Sequence, residues 1–211
     1  MLDRLFYWIR ATPFFLRLTL FTRCLLAAGF IPTGTVKLLG HRFTSISTEN
    51  PVGAFFEAMY QTGGYWRFLG LSQLIAGILV LFPRLAHLGA ALFLPIMVNI
   101  FVITVTLHFK GTWLVTGMMV VAVLYLCMWD YDRFRSLVTR EPWRLGAIPT
   151  RTLDRWERAG FFVFGAAIIG IFGTTRGLAS TQWIPICLGV GLLAGLFTLT
   201  RFLFVGRKRL A

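Results

Sequence analysis

Residues 65–129 form an apolar run in which only Arg67, Arg84 and Lys110 carry a fixed charge. A soluble domain cannot hide so long a stretch. Three membrane-spanning helices account for it, separated by polar breaks at Pro83-Arg84 and Lys110-Gly111, because crossing ~30 Å of hydrocarbon takes roughly 20 apolar residues. Composition extends this to the whole chain: 57% of the 211 residues are hydrophobic and 14% charged, so the length divides into several spans instead of enclosing one aqueous core. In such a chain the net charge of +13 reads as arginines holding loops against anionic lipid, not as a nucleic-acid surface. Cys24, Cys127 and Cys187 sit singly in apolar stretches with no C-x-x-C, which makes each a small buried hydrophobe and argues against disulfide exchange.

The chain opens with an aromatic, arginine-bearing interfacial segment, 1–17, followed by a first span predicted over 18–39 with Pro32 as a kink. Arg17 and Arg23 interrupt the apolar run, which is not the pattern of a cleavable signal. At 100° per residue Arg23, Ala27, Phe30, Gly34 and Lys37 fall on one line, so both cations and two small residues share a face. That face is expected either to point into protein, since a cation facing lipid is costly, or to let Arg23 and Lys37 snorkel to opposite head-group layers. In the following stretch, Asn50-Pro51 marks a helix start, and Val52, Phe55, Phe56, Met59 and Tyr60 repeat with helical spacing. The spacing predicts a short amphipathic helix over 51–60 on the outer surface, with Glu57 off its apolar stripe facing water or neutralising Lys37, Arg42 or Arg67.

The second span, 66–82, places Gly70, Gln73 and Gly77 on one side, where small residues allow close packing and the amide bonds across the interface. The third, 85–107, carries Asn99 near its middle and Thr106 and His108 at its outer end, and the fourth covers 112–129. Asn99 is expected to be a buried amide that needs partners. A mixed-charge linker with Pro and Trp fills 130–158, and residues 159–211 read as a transmembrane hairpin with a basic tail. Its last span contains Gly191 and Gly195, a small-xxx-small pattern for helix packing or self-association. With the N-terminus inside, six spans place 13 Lys and Arg on the cytoplasmic side against 5 outside, which favours two cytoplasmic termini.

Catalytic signatures are scarce. The chain has no Walker loop, no nucleotide-binding glycine fingerprint, no H-E-x-x-H and no nucleophile elbow. Pairing His41 with His108 is the one arrangement open to a haem, and no metal site is expected. What remains is a polar set, Lys37, Glu57, Gln73, Asn99, Thr106 and His108, that converges in the outer half if spans one to four pack around one axis. A cation, amides and a histidine in an apolar cage suit a quinone head group, an anion or a lipid head group, or serve as internal packing contacts.

The succession RCLLAAGFIPTGTVKLLG, then FLGLSQLIAGILVLFPRLAHLGA, then a third span with polarity at mid-membrane resembles the DoxX family of small bacterial membrane proteins over residues 23–129. The matching features are Gly34-x-x-Lys37 closing the first span, the second span centred on Gln73 and Gly77, and the Pro83 turn into Leu88-Gly89. The resemblance implies an all-α inner-membrane four-helix bundle over 18–129, to which this chain adds two C-terminal spans. It also implies an accessory or anchor subunit of a membrane redox or envelope-maintenance complex, with quinone as the candidate cofactor, a protein partner and the option of a homo-oligomer. Many members carry an acid where this chain has Gln73. The alternative function is a small-solute or lipid carrier whose path is lined by Lys37 and Asn99. An enzyme acting alone has no nucleophile and base pair to rest on.

Overall fold

The computed structural model describes residues 2–138 and 153–208. Among the described residues nine α-helices run in chain order as α1 (Leu2–Ala11), α2 (Pro13–Leu38), α3 (Pro51–Gln61), α4 (Gly64–Leu81), α5 (Ala86–Thr106), α6 (Thr112–Trp129), α7 (Tyr131–Val138), α8 (Arg155–Thr175) and α9 (Ile184–Lys208). Among the described residues there is no strand. Six of the described helices are long and apolar enough to cross a bilayer, namely α2, α4, α5, α6, α8 and the last, which carries its apolar window over Thr181–Arg201. The protein is therefore an all-α, multi-pass membrane protein. Its exterior agrees: Leu71, Ile75 and Ile78 of α4, Val98 and Val102 of α5, and Leu192, Leu193 and Leu196 of α9 are all exposed. Only lipid accepts a surface as apolar as the interior.

The spans α2, α4, α5 and α6 pack in that order, with α6 returning to α2 to close a four-helix bundle. All four contribute to one apolar core, including Ala27 and Phe30, Ala76 and Val80, Phe93 and Met97, and Val123 and Leu126. Phe30 meets Phe93 edge to face at 4.7 Å, a favoured aromatic geometry. On its other side α2 receives α8, and α9 in turn packs on α8. Most of the circumference of α2 is thus covered by protein, and Arg23, Ala27, Phe30, Gly34 and Lys37 are all buried. Of the two expectations for this face, the inward one holds.

Several boundaries shift. The first span begins at Pro13, not near residue 18, because Thr12-Pro13 separates α1 and supplies a proline to the first turn, where its missing N–H costs nothing. The amphipathic helix forms as α3, with the Asn50 side chain accepting the Val52 N–H at 2.9 Å. Of the linker expected over 130–158, α7 and the start of α8 are helical; residues 139–152 and 209–211, and with them part of the basic tail, lie outside the described residues. Gly191 and Gly195 fall within the α8–α9 contact. They lie against Ala167 and Phe164 of α8, so the small-residue stripe serves the hairpin itself.

The tightest contact in the bundle is between α2 and α4. A Cβ on Gly70 would sit 2.5 Å from the Leu38 amide nitrogen and 2.7 Å from the Gly34 carbonyl oxygen, and one on Gly34 would meet the Gly70 carbonyl and the Leu74 nitrogen. Backbone lies on both sides, so no rotamer change relieves the clash. Gly77 continues the seam against Ile31. Gly70→Ala should therefore destabilise the bundle by about 1–3 kcal/mol, the ordinary cost of overpacking. Gly173→Ala, which meets open space, should leave the thermal midpoint in detergent unchanged or slightly raised. Equal midpoints for the two variants would contradict the close approach.

Candidate functional site

Polar side chains gather at the two ends of the bundle, with the apolar core between them. At the end where α2 finishes and α4 begins, Lys37 lies in the last turn of α2, where the partial negative charge of the helix terminus favours a cation. It is only 5% exposed, and its ammonium donates to Gln73 Oε1 on α4 at 2.8 Å. Gln73 is itself 1% exposed. The Gly34–Gly70 seam is what brings these helices close enough for the bond, and Gly70 also leaves room for the Lys37 Cβ.

Two aromatic rings complete the surroundings. The Lys37 Nζ stands 4.7 Å from the Phe43 ring centre and 5.3 Å from that of Trp66, both within cation–π range. Trp66 is fixed in the first turns of α4 by its indole N–H, which donates to the His41 carbonyl at 2.9 Å. Phe43 also receives a second cation. The Arg176 guanidinium, just past the end of α8, lies 4.4 Å from the same ring and donates through Nη1 to the Phe43 carbonyl at 3.3 Å. Burial lowers the pKa of Arg176 from its ordinary value. Above this, Arg42 grips Glu57 with two bonds of 2.8 Å and covers Tyr60, and that bonding holds the Glu57 carboxyl below the usual range.

Only part of the expected polar set converges. Lys37 and Gln73 meet; Glu57 is engaged by Arg42 at the rim instead of facing water alone. Asn99, Thr106 and His108 are exposed on α5 and at its end, away from Lys37. The reason is angular. The buried face of α5 runs through Phe93, Met97 and Thr104, and Asn99 and Thr106 each follow a buried residue by two positions, about 200° around the helix. Thr104, not Thr106, makes the polar contact to the next span, bonding Thr116 at 2.8 Å. Asn99 is thus not a buried amide, and Lys37 and Asn99 do not share a path. His41 and His108 are both exposed, and among the described residues no three His, Cys, Asp or Glu come together as a metal site.

The opposite end is ionic. Arg23, buried in α2, reaches Asp130 at 3.2 Å just past α6; Arg17 reaches Glu157 on α8 at 2.6 Å; Arg201 on α9 reaches Asp154 at 2.5 Å. Arg10 of α1 stacks over Trp129 at 4.7 Å. Burial raises the Asp130 carboxyl and the Arg23 guanidinium opposes that rise. Sequence reading missed these pairs, as it missed Phe43, Trp66 and Arg176. The signal was the placement of Asp130, Asp154 and Glu157 in the segment that returns to the end where Arg17 and Arg23 enter.

The arrangement defines a multi-pass helical membrane protein with a buried cation–amide pair at one end and ion pairs at the other. Over 126 residues the chain is 32% identical to the uncharacterized protein YwoB of Bacillus subtilis (strain 168), covering 57% of this chain and 81% of that protein. It belongs to the family of that bacterial protein. No family model matches the chain, and no solved structure matches it.

Removing one partner of a buried pair leaves an uncompensated charge. Asp130→Ala should destabilise the protein by about 3 kcal/mol or more, while the double variant Arg23→Met/Asp130→Ala regains most of that loss. Denaturant titration in detergent reads both. A double variant no more stable than Asp130→Ala would show that Arg23 does not depend on Asp130.

Proposed function

We propose that this protein is a DoxX-like accessory subunit of the bacterial inner membrane, with both termini cytoplasmic. In this reading the Lys37–Gln73 site holds the polar head of a bilayer-borne ligand, a quinone or a lipid, for a membrane redox or envelope-maintenance complex. One observation carries it: an ammonium 5% exposed at the edge of the hydrocarbon layer is hydrogen-bonded to a neutral amide alone. Such a group is expensive to maintain for packing and marks a functional position by default. The charge distribution of 13 Lys and Arg against 5 supports the orientation. The Gly34-x-x-Lys37 and Gln73–Gly77 features that resemble the DoxX family are the same residues that build the α2–α4 seam. The chemistry of the complex then resides on its partner, while this chain supplies an anchor and a head-group site.

Protein extracted gently from its native membrane should carry a lipophilic ligand or a partner chain in native mass spectrometry. Lys37→Met should reduce bound lipophile by about tenfold, the loss expected for one charged hydrogen bond. A wild-type chain that flies bare, with neither lipophile nor partner, would sink this reading.

A further inference from the structure

At the ionic end three arginines of the spans have carboxylates: Arg17 has Glu157, Arg23 has Asp130 and Arg201 has Asp154. The Lys37 end is different. Among the described residues neither Lys37 nor Arg176 pairs with a carboxylate. Glu57 is taken by Arg42, and the only other acid in the stretch between α2 and α4, Glu49, is exposed. Lys37 donates one bond, to Gln73, which leaves two of its N–H groups to face aromatic carbon. Arg176 uses Nη1 on the Phe43 carbonyl. Two cations, one in the last turn of α2 and one just past α8, therefore approach one ring, Phe43, which is only half-buried and lies in the connection after α2.

A low-dielectric boundary does not favour two like charges around a hydrocarbon ring without a counter-charge. We infer that Lys37 and Arg176 jointly receive an anionic phosphate group at the position the Phe43 ring now occupies. This rests on the head-group reading above and narrows it from any polar head to an anion. A guanidinium presents a fork that matches two phosphate oxygens, and an ammonium adds a point charge. Gln73 keeps the Lys37 ammonium oriented before and after the anion arrives. Trp66, tied to His41, remains as the fixed wall, while Phe43 is the side that gives way. The phosphate belongs to an anionic lipid head group or to a free phosphate, and the two sources differ in whether an acyl tail contributes.

The full-length protein in a neutral detergent is titrated with phosphatidylglycerol, diacylglycerol, a short-chain quinone or inorganic phosphate, and bound species are counted by native mass spectrometry. Phosphatidylglycerol should bind at least about tenfold more tightly than diacylglycerol or the quinone, the difference expected for charge-assisted bonds. Lys37→Met and Arg176→Gln should each remove most of that preference, and Arg42→Gln should not. Arg176→Gln lies beyond the end of α8 and keeps the test open if Lys37→Met fails to fold. Displacement of phosphatidylglycerol by millimolar inorganic phosphate identifies a free phosphate as sufficient; no displacement assigns the site to the lipid. Quinone bound through Lys37 as tightly as phosphatidylglycerol overturns the anion inference and leaves the head-group reading standing. Phosphatidylglycerol binding unchanged in both variants overturns the inference, and no binding of any lipophile overturns both.

Discussion

Hydrocarbon does not solvate charge, and α2 carries Arg17, Arg23 and Lys37 into it. The neighbours of this helix are arranged to meet that constraint. Asp130 at the end of α6 and Glu157 in the first turn of α8 arrive at one end, Gln73 of α4 at the other, each within 3.2 Å of its cation. The fourfold packing of α2, α4, α5 and α6 and the docking of α8 on α2 can be understood as the geometry that delivers these partners together. Between the ends, the contact of Phe30 with Phe93 and the layers around Val80, Met97 and Val123 keep the two polar groups apart.

The two ends solve the same electrostatic problem differently. Ion pairs bring desolvation and Coulomb attraction into near balance, so they contribute specificity more readily than stability. The Lys37 end uses an amide dipole and two π faces instead. Such a shell satisfies a cation only in part, whereas each carboxylate at the ionic end supplies a full counter-charge.

Much of the fold was legible because membrane insertion leaves large signals. Six long apolar runs, the capping pair Asn50-Pro51 and the shared face of Arg23, Gly34 and Lys37 all follow from length and helical period. The site was legible only where one helix wheel sufficed. Asn99 looked central because it lies in the interior of a span, yet depth says nothing about direction, and the Phe93–Met97–Thr104 face turns it outward. Arg176, Phe43 and Trp66 escaped notice for another reason. They come from separate segments whose meeting depends on the docking of α8 against α2, a tertiary relation with no local periodicity. Gly191 and Gly195 were read as a stripe for helix packing or self-association, and composition alone does not say that Ala167 and Phe164 of α8 lie against them.

The distances in sequence between α2 and its partners bear on how the molecule is made. Arg23 is matched by a residue 107 positions later and Arg17 by one 140 positions later. A ribosome extends the chain by about 5–20 residues each second, so α2 waits several seconds or more before its counter-charges exist. During that interval its arginines depend on water, lipid phosphates or the insertion machinery. Stable burial of α2 is consequently among the last events of assembly, and a chain truncated before Asp130 and Glu157 would leave its arginines to those temporary partners.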